Sequence, residues 1–127
     1  MACRISELVI DAEDPGRLAA FWCAVLGYVE WEREGDGSIH IGPPGTGFGG
    51  AQPTMVVNAG RDRRAGKLPL HIDVSATDRD QDAELARLLA LGAVHADVGQ
   101  SGEESWYVLA DPEGNEFCLL RTRLEPV

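Results

Sequence analysis

The chain has 127 residues, 44% apolar and 25% charged, enough for one domain whose folding hides about two thirds of its surface without disulfides or metals. Its 21 acidic against 11 basic residues give a net charge of −10, which argues against duplex nucleic acid and anionic membranes and leaves neutral or cationic small ligands. Three cysteines without a CxxC spacing, no signal-peptide pattern in MACRISELVI and no apolar run near ~18 residues predict a reduced, cytoplasmic chain without a membrane span.

Leu8, Ile10 and Ala12 alternate with Glu7, Val9 and Asp11, a period of two that predicts a strand over residues 5–12. Asp14 and Pro15 then open a helix, because Asp accepts from free amides and Pro lacks only an N–H that the first turn leaves unused. Leu18, Phe21, Trp22, Val25 and Leu26 form one apolar face, and Gly27 suits a left-handed cap, so the helix spans 15–26 with Trp22 in the core. Strands are predicted over Tyr28–Glu32, Ser38–Ile41 and Thr54–Asn58. Between the last two lies GPPGTGFGGAQ, Gly42–Gln52, which lacks the Lys-Ser/Thr ending and following helix of a phosphate loop. Asn58–Leu68 reads as a polar linker, and its Arg61, Arg63, Arg64 and Lys67 form a basic cluster expected to face water.

The second half repeats the first. Leu70, Ile72 and Val74 alternate with His71, Asp73 and Ser75. Thr77 or Asp78 is the expected helix cap, Leu85, Leu88 and Leu89 the buried stripe, and Gly92 the stop, giving a helix near 78–91. Strands follow over Val94–Val98, Ser105–Ala110 and Glu116–Arg121, with the DPEGN turn, Asp111–Asn115, before the last. Glu7 and His71 stand 64 residues apart, as do Asp14 and Asp78, so the chain is read as a duplicated strand–helix unit.

The order βαβββ written twice, with LVIDAEDPGRLAAFWCAVLGY, LPLHIDV, ARLLALGA and LADPEGNEFCLL at matching places, resembles the vicinal oxygen chelate superfamily. That group includes glyoxalase I, extradiol dioxygenases, fosfomycin-resistance proteins and bleomycin-binding proteins. The resemblance runs from about Ser6 to Arg121 and is nearest the compact glyoxalase-like branch. It implies an α+β fold: two pseudo-symmetric βαβββ modules forming a curled sheet or half-barrel around a cavity. The expected organisation is one domain over 1–127, with module one at about 4–58, a linker at 59–67 and module two at about 68–122.

The resemblance also places metal ligands on the first and last strands of each module. Here those positions are Glu7, His71 and Glu116, while the fourth falls near Thr54 or Gln52, neither a carboxylate. This departure argues against glyoxalase I activity itself. The dioxygenase and fosfomycin-resistance branches have three ligands, with His where this chain has Glu7. One imidazole and two carboxylates suit Mn²⁺, Fe²⁺, Ni²⁺, Mg²⁺ or Zn²⁺. His71 is read either as a ligand or as a hydrogen-bonded cavity histidine.

Strand parity puts Glu7, Val9 and Asp11 on one face, His71, Asp73 and Ser75 on the equivalent face, and Glu116 with Cys118 beside them. The alternate residues Leu8, Ile10, Ile72, Val74, Phe117 and Leu119 should pack under the helices. Trp31, His40, Asp73, Trp106 and Cys118 are the expected substrate contacts, and His95 is expected at the surface. Two functions follow. One is a metal-dependent lyase, isomerase or dioxygenase acting on adjacent oxygens, with Glu116 or Glu7 moving a proton. The other is a metal-free small-molecule binder of the antibiotic-sequestering type. A homodimer is expected in either case.

Overall fold

A computed structural model describes residues 2–60, 68–97 and 100–127. The basic cluster Arg61, Arg63, Arg64 and Lys67, and the Val98 end of one predicted strand, lie outside the described residues. The chain divides into two units, Met1–Arg63 and Arg64–Val127, each built as βαβββ. Among the described residues no helix is long and apolar enough to cross a membrane.

In the first unit β1 (Glu7–Ala12) leads to α1 (Pro15–Leu26), then β2 (Val29–Arg33), β3 (Ile39–Gly42) and β4 (Thr54–Ala59). The sheet order is β1-β4-β3-β2, with β1 parallel to β4 and the other pairs antiparallel. The helix ends are those read from the sequence. The Asp14 carboxylate accepts from the Arg17 amide at 3.1 Å, and Gly27 closes the helix at φ 69° with its N–H on the Cys23 carbonyl. Helix α1 packs on the sheet through buried Leu18, Ala19, Phe21 and Trp22, which meet the buried face formed by Ile39, Ile41, Met55 and Val57. The other face carries the register partners Glu7↔Thr54, Val9↔Val56 and Asp11↔Asn58, with His40 opposite Val56. Gly42 belongs to β3 rather than to the loop expected from 42 onward. A Cβ there would lie 2.8 Å from Thr54 Cγ2, so only glycine fits beside that strand without a shift.

In the second unit β5 (Ile72–Val74) leads to α2 (Gln81–Leu91), then β6 (Val94–His95), β7 (Tyr107–Ala110) and β8 (Glu116–Leu119). The order β5-β8-β7-β6, with β5 parallel to β8, repeats the first sheet. Helix α2 starts later than the sequence suggested. The cap is Asp80, whose carboxylate accepts from the Ala83 amide at 2.8 Å, while Asp78 is held by the Arg79 guanidinium at 2.9 and 3.0 Å. Of the expected stripe, Leu88 is fully buried and Leu85 and Leu89 are half-buried; Glu84 is also buried, clamped by Arg87 at 2.6 and 2.9 Å.

Strand β7 begins at 107 rather than 105. The Gln100 side chain there takes the place of a neighbouring strand, donating to the Trp106 carbonyl at 3.1 Å and accepting from the Val108 amide at 3.3 Å. The DPEGN turn is tight as expected: Asp111 Oδ1 accepts from the Glu113 and Asn115 amides at 2.9 and 3.0 Å, and Gly114 takes φ 84°. That turn sets the β7–β8 register and delivers Glu116 at the first position of β8.

Candidate functional site

The parallel pairing of β5 and β8 builds the site. Ile72 pairs with Phe117 and Asp73 with Cys118, so Glu116 opens β8 while His71, one step before Ile72, immediately precedes β5. In the first unit the same step is occupied by Glu7 and Thr54. The structure thus repeats the strand-by-strand correspondence of the two modules.

The second module contains a pocket of about 490 Å³. His71, Asp73, Glu116 and Cys118 line it with polar atoms, and Trp106, Val108 and Leu120 supply apolar wall. Five residues expected from the sequence therefore meet in one place. His71 Nδ1 lies 3.1 Å from Asp73 Oδ1 and 3.9 Å from Cys118 Sγ. Among the described residues this trio is the one group of three His, Cys, Asp or Glu residues whose donor atoms all fall within 4.8 Å of one another. Both His71 and Asp73 are exposed, whereas Cys118 is buried.

The Cys118 thiol is pushed up to about 11, first by burial, then by the neighbouring carboxylates of Asp73 and Glu116. The thiol is therefore protonated at neutral pH and is not a nucleophile in the metal-free chain. Cys23 is also shifted up, by burial and by Glu30, and Cys3 is exposed. Iodoacetamide at pH 8 should accordingly modify Cys3 first and Cys118 last, read by peptide mass spectrometry over time. Labelling of Cys118 as fast as Cys3 would contradict the packing described.

The remaining expected residues lie in the first unit. Glu7 accepts from the Thr54 hydroxyl at 3.4 Å. Trp31 packs against His40 with ring centroids 5.2 Å apart, and both His40 ring nitrogens are buried without a hydrogen bond. Glu34 and Glu32 approach His40 Nε2 at 3.5 and 3.9 Å. His95 is exposed on β6. Sequence reasoning missed Val108 and Leu120 as pocket walls. Their signal was available: Val108 pairs with Cys118, and Leu120 follows Cys118 by two on the same face.

A second pocket, about 580 Å³, opens at the N-terminal end of α2. Its carboxylates serve the fold: Asp80 caps the helix, Asp82 accepts from the Tyr107 hydroxyl, and Glu104 accepts from the Ser101 and Gly102 amides.

A family model described as "Glyoxalase-like domain" matches residues 7–120. No curated protein matches the chain. Several solved structures share the fold. A variant of the fosfomycin resistance protein FosX from Listeria monocytogenes, complexed with Mn(II) and 1S,2S-dihydroxypropylphosphonic acid, is 18% identical, with a TM-score of 0.70 over 98% of this chain and 94% of that one. FosX from Mesorhizobium loti is 17% identical, with a TM-score of 0.70 over 98% and 96%. A glyoxalase/bleomycin resistance protein/dioxygenase family enzyme from Burkholderia phytofirmans is 20% identical, with a TM-score of 0.69 over 92% and 97%.

Proposed function

The chain belongs to the glyoxalase-like domain family of the vicinal oxygen chelate superfamily, and from that premise we propose that it is a divalent-metal-dependent enzyme acting on a small molecule with two adjacent oxygens. The observation that carries this reading is the meeting of His71, Asp73, Glu116 and Cys118 in one pocket. An imidazole beside carboxylates is a fitting donor set for a divalent ion, and His71 and Glu116 are the residues assigned to hold it. The Mn(II) of the Listeria FosX supports the reading on a shared fold.

The pocket's 490 Å³ lies within the range of about 300–1,000 Å³ usual for small-molecule sites. Trp106, Val108 and Leu120 bind the carbon part of the substrate and exclude water from it. A divalent ion bound there supplies Lewis-acid polarisation of the substrate oxygens. The Glu116 carboxylate takes and returns the proton in a lyase- or isomerase-type step. The buried, protonated Cys118 adds no nucleophile to that chemistry.

Thermal melting of the metal-free chain with and without Mn²⁺, Fe²⁺, Ni²⁺ or Zn²⁺ tests the reading. At 100 times its dissociation constant an ion stabilises the folded state by about 2.7 kcal/mol, a rise on the order of 10 °C. Glu116→Gln should lose most of that rise. No rise with any ion moves the function to metal-free binding of a small molecule in the same pocket.

The reading includes a homodimer. Strands β1, β2, β5 and β6 are sheet edges, and Val9, Leu70 and Val94, on or beside them, are 62%, 62% and 58% exposed. Light scattering should give about twice the 13.7 kDa of one chain, and a mass of 13.7 kDa would remove this part.

A further inference from the structure

The pocket of the second module contains a donor that the family resemblance does not include. We propose that Cys118 ligates the pocket's metal ion through sulfur, together with His71 and Asp73, so that the ion is a thiophilic cation of the zinc class. The inference rests on the metal reading above and deepens it by naming the kind of ion.

The strand geometry makes the case. Asp73 and Cys118 are register partners on the adjacent parallel strands β5 and β8, and His71 precedes Asp73 by two on the same face. Asp73 and Cys118 thus come from two neighbouring strands, and His71 from the residue immediately before β5. All three donor atoms lie within 4.8 Å of one another, and the two separations from His71 are near those of a tetrahedral ion. Bonds of about 2.0–2.1 Å to nitrogen or oxygen and about 2.3 Å to sulfur require donors about 3.3–3.6 Å apart. The observed separations from His71 Nδ1 are 3.1 Å to Asp73 Oδ1 and 3.9 Å to Cys118 Sγ, within a few tenths of an ångström of that requirement. Small rotations of the exposed His71 and Asp73 side chains close the difference. The fourth position faces the pocket, where Glu116 completes the set.

A sulfur ligand selects the ion. Thiolates favour Zn²⁺ and Co²⁺ over Mn²⁺ and Mg²⁺, which prefer all-oxygen or oxygen-rich sites. On binding, the Cys118 S–H bond breaks, the metal–sulfur bond forms, and the proton leaves to solvent. His71 ligates through Nδ1 as the tautomer that carries its proton on Nε2. No oxidant or reductant is involved.

Cobalt(II) serves as the probe. Titrated into the reduced, metal-free full chain, it should produce a near-ultraviolet sulfur-to-cobalt charge-transfer band that saturates at one ion per chain. Cys118→Ser should lose the band, and Asp73→Asn should weaken binding by at least about tenfold while keeping it. A double variant, Cys3→Ser with Cys23→Ser, leaves Cys118 as the sole cysteine and should keep the full band, which assigns the sulfur even if Cys118→Ser does not fold. Saturable cobalt binding without the band, or a band lost in the double variant, overturns the sulfur ligand and leaves the metal reading in place. No saturable cobalt binding at all overturns both.

Discussion

Trp22→Ala is expected to destabilise the chain by about 3–5 kcal/mol, the range for emptying a large aromatic site in a packed core. Trp22 is 1% exposed and is the largest of the fully buried side chains. Its ring meets Phe21 edge-on, at 5.3 Å and 89°. It sits on the α1 face that covers the first sheet, in a core that also contains fully buried Leu18, Ile39, Ile41, Met55 and Val57. The backbone around it is pinned by an Asp14 cap and a Gly27 stop, so the helix has little freedom to sink into the void. Since domains of this size are stable by about 5–15 kcal/mol, the loss is a large fraction of the total. Urea unfolding should show a lowered midpoint with little change in slope. A loss below about 1 kcal/mol would mean that the α1 face is not the core of its module.

The first helix was legible residue by residue because each end has a single chemical punctuation mark, Asp14-Pro15 and Gly27. The second helix was not, because Thr77, Asp78 and Asp80 all carry side chains able to cap. The pairing of Asp78 with its sequence neighbour Arg79 leaves the cap to Asp80. Strand parity placed Asp73 and Cys118 on the face of His71 and Glu116. A period of two says which face a side chain takes, but not which strand lies next to it. That Cys118 sits against His71 follows from the β5-β8 pairing, a crossover between strands more than forty residues apart. The shortened start of β7 was hidden for a related reason: a side chain, Gln100, substitutes for backbone pairing there, and no periodicity records it.

His71→Ala carries the second large expected effect. His71 is the one residue common to the ligand set implied by the resemblance and to the donor trio that the structure assembles. Its removal takes away the imidazole whose Nδ1 lies 3.1 Å from Asp73 Oδ1 and 3.9 Å from Cys118 Sγ. Outer-shell partners of metal ligands already cost about 10–100-fold in affinity when lost, so the loss of His71 itself should exceed about 100-fold. The fold should survive, because His71 is exposed and precedes β5 rather than filling the core. Its replacement should move the melting point of the metal-free chain by less than the equivalent of about 1 kcal/mol.

Isothermal titration of Zn²⁺, and separately of Mn²⁺, into metal-free wild type and His71→Ala measures this directly. The account predicts one saturable site per chain in wild type for at least one of these ions, and its disappearance over the same concentration range in the variant. Saturable binding of equal affinity in both proteins, or no binding in wild type, would contradict it.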